Sequence, residues 1–154
     1  MNSFSRPAQR QSLAGARLRR HADYLRAYAA ASKRKSASMS WFLAPQIPDP
    51  AVPFRTHVGP RVGLTVGKVL GKAIDRNRIK RRMREVLRRH VGLLPEGFDL
   101  IFHPRRNVLT MDFMQLEAEI VRILEQAREQ ARTEAARAAK SPAALPQARI
   151  APKS

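Results

Sequence analysis

The sequence predicts an α+β fold, a small sandwich in which helices cover a mixed sheet of three to four strands. Apolar residues recur at helical spacing in three segments, and short runs of β-branched and aromatic residues lie between these segments. The order along the chain is helix, strand, strand, helix, strand, helix. The strands on either side of the second helix are therefore expected to run parallel.

The first predicted helix spans residues 17–32. Its apolar residues have the i, i+3, i+4, i+7 spacing of one helix face: Tyr24, Ala27, Tyr28 and Ala31. Residues 33–35, Lys-Arg-Lys, are expected to close this helix, because the helix dipole favours cations at its C-terminus. Residues 1–16 are polar and interrupted by Pro and Gly, so we expect a flexible segment there.

Two strands are predicted before the second helix. Residues 39–44 contain the run Trp-Phe-Leu, and residues 61–66 read Arg-Val-Gly-Leu-Thr-Val. Prolines recur through residues 45–60, which favours a loop or an irregular edge between the two strands.

The second helix is the most strongly charged part of the chain. Residues 68–90 carry ten Lys and Arg against two acidic residues. The apolar residues nevertheless fall in one stripe at about 100° per residue: Ile79, Met83, Val86, Leu87 and His90. The helix is therefore amphipathic. We expect it to begin near Asp75, after a glycine-containing entry at 67–72, because an earlier start would turn Arg76 towards the apolar stripe.

One more strand and one more helix are predicted. A Pro-Glu-Gly turn at 95–97 precedes the strand at 98–103. The third helix opens at Thr110, and its apolar face consists of Phe113, Leu116, Ile120, Ile123 and Leu124. From residue 133 the chain becomes rich in Ala, Arg and Pro, so we expect a domain at 17–132 and a disordered tail at 133–154.

The charge of the chain indicates a polyanionic partner. Its 30 Lys and Arg residues outnumber 12 Asp and Glu, which gives a formal net charge of +18. The excess is concentrated, because residues 1–40 carry nine bases and one acid while residues 68–90 carry ten and two. Such a focused field is typical of a binding surface. Nucleic acid is favoured over a membrane, because no apolar anchor accompanies the charge.

Several other classes of protein are disfavoured. The chain has no cysteine, which leaves no disulfide framework and no thiolate metal site. No stretch approaches the apolar length of a membrane span, and the N-terminus lacks the apolar core of a signal peptide. We therefore expect a soluble protein of the cytoplasm.

The sequence predicts no catalytic residue and no metal ligand in the protein. A metal-dependent nuclease needs clustered carboxylates or histidines, whereas the four histidines stand apart in sequence. His90 lies on the apolar stripe, where packing or capping is favoured over ligation. The acids of the last helix are interleaved with bases and are expected to form a solvated face with helical charge pairs: Glu117, Glu119, Glu125 and Glu129.

The second strand and the basic helix together carry a family signature. It comprises RVGLTV at 61–66, RNRIKR at 76–81, and Arg84-Glu85. This pattern resembles the signature of the bacterial ribonuclease P protein subunit, since the glycine-containing strand precedes the amphipathic helix as it does in that family. The resemblance covers roughly residues 17–130.

This resemblance implies a fold and an activity. The fold is a compact α+β domain with a left-handed crossover between the strands that flank the basic helix, against the usual right-handed preference. The activity is removal of the 5′ leader of precursor tRNA by a holoenzyme whose catalytic RNA does the chemistry, with Mg²⁺ bound mainly by the RNA and the substrate. The implied partners are that RNA and precursor tRNA, with no membrane and no obligatory protein partner.

The resemblance also implies two binding surfaces. The RNA subunit would be contacted by Lys68, Lys72, Arg76, Asn77, Arg78, Lys80, Arg81, Arg82 and Arg84. The leader would lie in a cleft between the first helix and the sheet, where its unpaired bases stack on Tyr24, Tyr28 and Phe42. Periodicity alone favours these rings as core residues, but a half-buried ring can serve both purposes.

Some positions depart from the family pattern. The chain has Gly67-Lys68-Val69 where the family commonly has Ser-Lys-Lys, and tyrosines replace phenylalanines in the cleft. A ribosomal or RNA-chaperone-like protein with no part in an enzyme remains the alternative, because size and net charge fit it equally well. The motif at 76–84, in its strand-to-helix context, favours the ribonuclease P subunit.

Overall fold

The computed structural model describes residues 13–46 and 59–140. These ranges contain three helices and four strands, in the order α1 (His21–Ala30), β1 (Ser32–Lys35), β2 (Met39–Pro45), β3 (Arg61–Leu64), α2 (Ala73–Arg89), β4 (Phe98–Pro104) and α3 (Phe113–Lys140). The predicted α+β class is confirmed.

The four strands form one mixed sheet in the order β1-β2-β4-β3. β2 pairs antiparallel with both β1 and β4, whereas β3 pairs parallel with β4. The predicted parallel relationship of the two strands that flank the basic helix is therefore confirmed, and α2 is the crossover that joins them. The handedness of that crossover stays a prediction.

The two faces of the sheet are covered unequally. Inward residues of β2 and β4, such as Trp41 and Phe102, pack with α2 and α3 in the main core. Among the described residues, the opposite face carries α1 as its one helix and a smaller buried cluster: Leu18, Ala27, Ala44 and Ile101. This helix has ten residues, and aromatic side chains at the margin of the face it covers are partly accessible within the described structure.

The N-terminal predictions need two corrections. The helix begins at His21, not at residue 17, because the backbone of Arg17 forms a parallel bridge with Val62 and the next amide donates to the Val62 carbonyl at 2.8 Å. Residues 33–35 do not close the helix, since they lie in β1 and pair with β2. Of the predicted flexible segment 1–16, the described part begins at Leu13, which is buried in the main core, and residues 1–12 lie outside the described ranges.

The boundaries of the other elements also differ from prediction. α2 begins at Ala73, two residues before Asp75, and Arg76 avoids the core because its Nε donates to the Gly71 carbonyl at 3.1 Å. β3 ends at Leu64 instead of residue 66. A 3₁₀ turn at Arg106–Leu109 precedes α3, which starts at Phe113 and not at residue 110.

α3 continues through the predicted start of the tail. The segment 133–140 is helical, which contradicts the expected disorder from residue 133. Its Ala, Arg and Glu residues are strong helix formers, and the Gln130 side chain contacts Ser32 at 2.6 Å and Glu134 at 3.0 Å. The rest of the predicted tail, 141–154, and most of the proline-rich segment, 47–58, lie outside the described ranges.

Candidate RNA interface

The basic face of α2 lies opposite four buried residues that anchor the helix: Ile79, Met83, Val86 and Leu87. The predicted apolar stripe is thus confirmed for these residues. The predicted RNA-subunit ligands occupy the remaining surface of the helix and its entry, and Asn77 is among the exposed ones. Among the predicted RNA-subunit ligands, six cations make no side-chain hydrogen bond or ion pair within the described ranges and can bind phosphate: Lys68, Lys72, Arg78, Lys80, Arg81 and Arg84.

Arg82 differs from these six cations. Its guanidinium donates to the Met111 carbonyl and lies over the Phe113 ring, 5.9 Å from the centroid. These contacts hold α2 against the start of α3. Arg82 therefore has a structural role in the protein, and its contact with RNA stays a prediction.

The C-terminal turn of α2 pairs its own charges. Glu85 accepts from Arg88 at 2.7 Å and from Arg89 at 3.0 Å, and the hydrogen bond from Arg88 holds the pKa of the Glu85 carboxyl below its usual value. The Glu117 carboxylate accepts from His90 Nε2 at 2.8 Å, and this hydrogen bond holds the pKa of Glu117 below its usual value. The basic helix is therefore divided into a free set of cations and a set used within the protein.

Arg84 lies where the basic helix meets the opposite face of the sheet. It lines a depression together with Arg17, Tyr24 and Gly63. Burial, and then the charge of Arg17, lowers the pKa of its guanidinium, which stays protonated at neutral pH because it starts from a very high value. The basic face of α2 and the face that carries α1 therefore share a border.

The three aromatic residues predicted to bind the leader are brought together on that face. Ring centroids of Tyr24 and Tyr28 are 6.3 Å apart, and those of Tyr28 and Phe42 are 5.1 Å apart in an edge-to-face arrangement. All three rings are partly exposed, so they are neither fully buried core residues nor fully exposed surface residues. We call this group, with the sheet residues around it, the aromatic cleft.

Sequence reasoning missed two residues of the aromatic cleft. The Tyr28 hydroxyl lies 2.7 Å from His103 Nε2 and 2.9 Å from the Thr65 hydroxyl. The His103 ring is also 4.9 Å from that of Phe42. Burial, and secondarily the charge of Lys33, lowers the pKa of His103, so the imidazole is neutral near pH 7. Strand alternation could have indicated His103, because it lies two residues after the buried Ile101 on β4.

Gly63 on β3 makes room for Tyr24. A Cβ at this position would lie 2.5 Å from the Tyr24 hydroxyl oxygen, so any other residue would displace the ring. Burial raises the pKa of the Tyr24 phenol, which keeps it neutral. The glycine of the RVGLTV run therefore shapes the aromatic cleft.

A buried ionic group joins α1 to the sheet beneath the cleft. The guanidinium of Arg61 donates to both carboxylate oxygens of Asp99, at 2.8 and 3.0 Å, and contacts Asp23 at 3.4 Å. Arg61 is 8% exposed, Asp99 3% and Asp23 2%, so these charges are withdrawn from water. Because Asp23 belongs to α1 and the other two to β3 and β4, the group fixes the position of the helix that carries both tyrosines.

The acidic residues of α3 correct one prediction. Glu119 is 4% exposed and accepts from the Ser38 amide at 2.8 Å and from the Ser36 hydroxyl, so it fixes the β1–β2 turn instead of facing solvent. Glu125 and Glu129 are exposed, as expected. Among the described residues, no group of three or more His, Cys, Asp or Glu could hold a metal ion, and no helix is long and apolar enough to cross a membrane.

Comparison with known proteins identifies the family. The family model described as Ribonuclease P matches residues 14–128, which is most of the chain. The chain belongs to the ribonuclease P protein family. The ribonuclease P protein component of Chloroflexus aggregans is 37% identical over 112 residues, which cover 72% of this chain and 76% of that protein. That of Thermobifida fusca is 33% identical over 106 residues, covering 68% and 70% respectively.

Solved ribonuclease P proteins share the fold. The protein from Thermotoga maritima superimposes with a TM-score of 0.59 at 25% identity, over 71% of this chain and 96% of that one. A Staphylococcus aureus ribonuclease P protein mutant superimposes with a TM-score of 0.61 at 23% identity, over 75% and 90%. The resemblance predicted from residues 61–85 is therefore confirmed at the level of family and fold.

Proposed function

We propose that this protein is the subunit of a ribonuclease P holoenzyme that docks on the catalytic RNA through α2 and holds the 5′ leader of precursor tRNA in the aromatic cleft. The observation that carries the proposal is the shared border of two chemically different surfaces. One surface presents free cations for a folded phosphate backbone, and the other presents half-buried rings for unpaired bases. Arg84 and Tyr24 line the depression where they meet.

The free cations of α2 suit a structured RNA. Arginine forks match the geometry of phosphate oxygens, and lysines add point charge, so the helix can bind a folded backbone without reading bases. The apolar stripe keeps the helix on the core while these side chains extend outward. This arrangement presents several cations on one rigid element, which limits the entropy lost on docking.

The aromatic cleft suits a single strand. Stacking on aromatic rings is available to every base but requires that the base be unpaired, which is the state of a leader and not of the tRNA stem. The protein would thereby add leader contacts to those that the RNA subunit makes with the tRNA body.

The chemical step would belong to the RNA subunit. Mg²⁺ would be held mainly by that RNA and the substrate, and it would supply an activated water and charge stabilisation there. The donor set of the described residues does not suit a protein-held ion. The residues of this chain would bind and orient the leader, in the cytoplasm and without a membrane or an obligatory protein partner.

Reconstitution tests the proposal directly. The isolated protein is expected to bind precursor tRNA without cutting it, and addition of the cognate RNA subunit with Mg²⁺ should give one cut at the mature 5′ end. The measurement is gel analysis of labelled precursor tRNA. Metal-dependent cleavage by highly purified, RNA-free protein would contradict the division of roles. Co-purification with a ribosomal subunit, and not with one long structured RNA, would favour the ribosomal alternative.

The leader site is tested by removing a ring. Tyr28→Ala in the holoenzyme is expected to weaken binding of precursor tRNA by roughly 1–3 kcal/mol, because one stacking surface is lost. Mature tRNA lacks the leader, so its affinity should change little. Tyr28→Phe retains the ring and serves as the matched control for stacking. Equal losses for both tRNAs, together with a large fall in melting temperature, would make Tyr28 a core residue and leave the leader site unassigned.

A further inference from the structure

β1 is a strongly basic strand at one edge of the sheet. Its four residues read Ser-Lys-Arg-Lys, and all four are exposed. In the strand order β1-β2-β4-β3, β1 lies at the opposite edge from β3, the strand that leads into α2. The sheet therefore has a basic strand at one edge and leads into the basic helix from the other, with the aromatic cleft between them, and the assigned binding surfaces do not include β1.

Alternation along β1 divides its cations between the two faces of the sheet. Lys33 is paired with Phe42, and Lys35 with Ser40, which is in turn paired with His103 of β4. Because paired residues of antiparallel strands point to the same face, both lysines lie on the face of the aromatic cleft. Arg34 is paired with Trp41 and lies over its ring at 6.0 Å, on the opposite face.

We propose that Lys33 and Lys35 form a second phosphate-binding surface, which takes the backbone of single-stranded RNA after its bases leave the aromatic cleft. The two lysines are about 6.8 Å apart along the strand, far enough to bind separate phosphates. This inference rests on the proposed leader function of the cleft, and it extends the path of the leader beyond the rings to the far edge of the sheet.

Edge protection offers a different account of the same residues. Charged side chains on an edge strand discourage pairing with another chain, and that role requires no ligand. If edge protection were their role, all three cations of β1 would be equivalent, because each contributes charge to the same edge. A ligand that arrives through the aromatic cleft would instead distinguish Lys33 and Lys35 from Arg34, which faces α3 residues such as Glu129 and Glu134.

Leader length provides the test. We compare wild-type holoenzyme with the double variant Lys33→Ser/Lys35→Ser, using precursor tRNAs whose leaders are extended one nucleotide at a time. The double variant should bind mature tRNA and short leaders within about twofold of wild type, and longer leaders about tenfold more weakly. For long leaders, the slope of log K against log salt should fall by up to about 1.4, the value for two phosphates of a single strand.

Arg34→Ser is the matched control, since it removes the same charge from the same strand on the opposite face. It should leave the length dependence within about twofold of wild type. Equal weakening by the double variant at every leader length, or no weakening at all, would overturn the proposal. Self-association of either variant in sedimentation, without loss of long-leader affinity, would support edge protection instead. Wild-type affinity that is the same with and without a leader would contradict the leader function of the cleft, and this inference with it.

Discussion

Replacing Arg61 with Ala is expected to lower the free energy of unfolding by about 3–5 kcal/mol. The carboxylates of Asp23 and Asp99 would stay buried, while the positive charge of the guanidinium that contacts both would be lost. In the wild-type protein the Arg61 guanidinium donates to both oxygens of Asp99 on β4 and contacts Asp23 on α1. Its loss therefore removes the side chain that joins these two elements. Urea denaturation followed by circular dichroism measures the change.

Two variants separate charge from geometry in this prediction. Arg61→Lys retains the positive charge but cannot form the two-pronged contact with Asp99, so its loss of stability should be intermediate. Arg26 is a more exposed partner of Asp23, since the Arg26 side chain is 33% accessible. Arg26→Ala should therefore lower the free energy of unfolding by about 1 kcal/mol or less. A change below about 1 kcal/mol for Arg61→Ala would show that the buried group does not hold α1 on the sheet.

Local sequence patterns predicted those parts of the fold that periodicity encodes. The apolar stripe of α2 and the strands that contain Trp41 and Phe102 were predictable, because each buries a regular set of apolar side chains. β1 was not predictable in this way. It contains no apolar residue, and pairing with β2, not its own pattern, makes it a strand. Propensity and charge at 33–35 suited a helix end equally well.

The candidate site shows the same limit. Tyr24, Tyr28 and Phe42 were predicted as a group through the family resemblance, whereas periodicity alone favoured them as core. His103 and Thr65 join Tyr28 across 75 and 37 positions in sequence, and no local pattern encodes contacts of that range. The buried Glu119 was mistaken for a solvated acid for the same reason, since its partners Ser36 and Ser38 belong to a distant turn.

Removing the free cations of α2 should have the largest effect on assembly of the protein with the RNA subunit. The variant Arg78→Ala/Lys80→Ala/Arg81→Ala removes three side chains that have no hydrogen-bonding or ionic partner within the described ranges. If each contributes about 1.5 kcal/mol through a phosphate contact, affinity for the RNA subunit should fall on the order of a thousandfold. The slope of log K against log salt should fall by up to about 2.7.

The matched control lies on the same helix. Arg82→Ala/Arg88→Ala/Arg89→Ala removes the same charge, but these side chains contact the Met111 carbonyl, the Phe113 ring or Glu85. This variant should lower the melting temperature more than the first one and change the salt slope less. Filter binding across a salt series, with melting curves beside it, distinguishes the two outcomes. Equal changes in salt slope for both variants would mean that RNA binding depends on the net charge of α2 and not on the positions of its free cations.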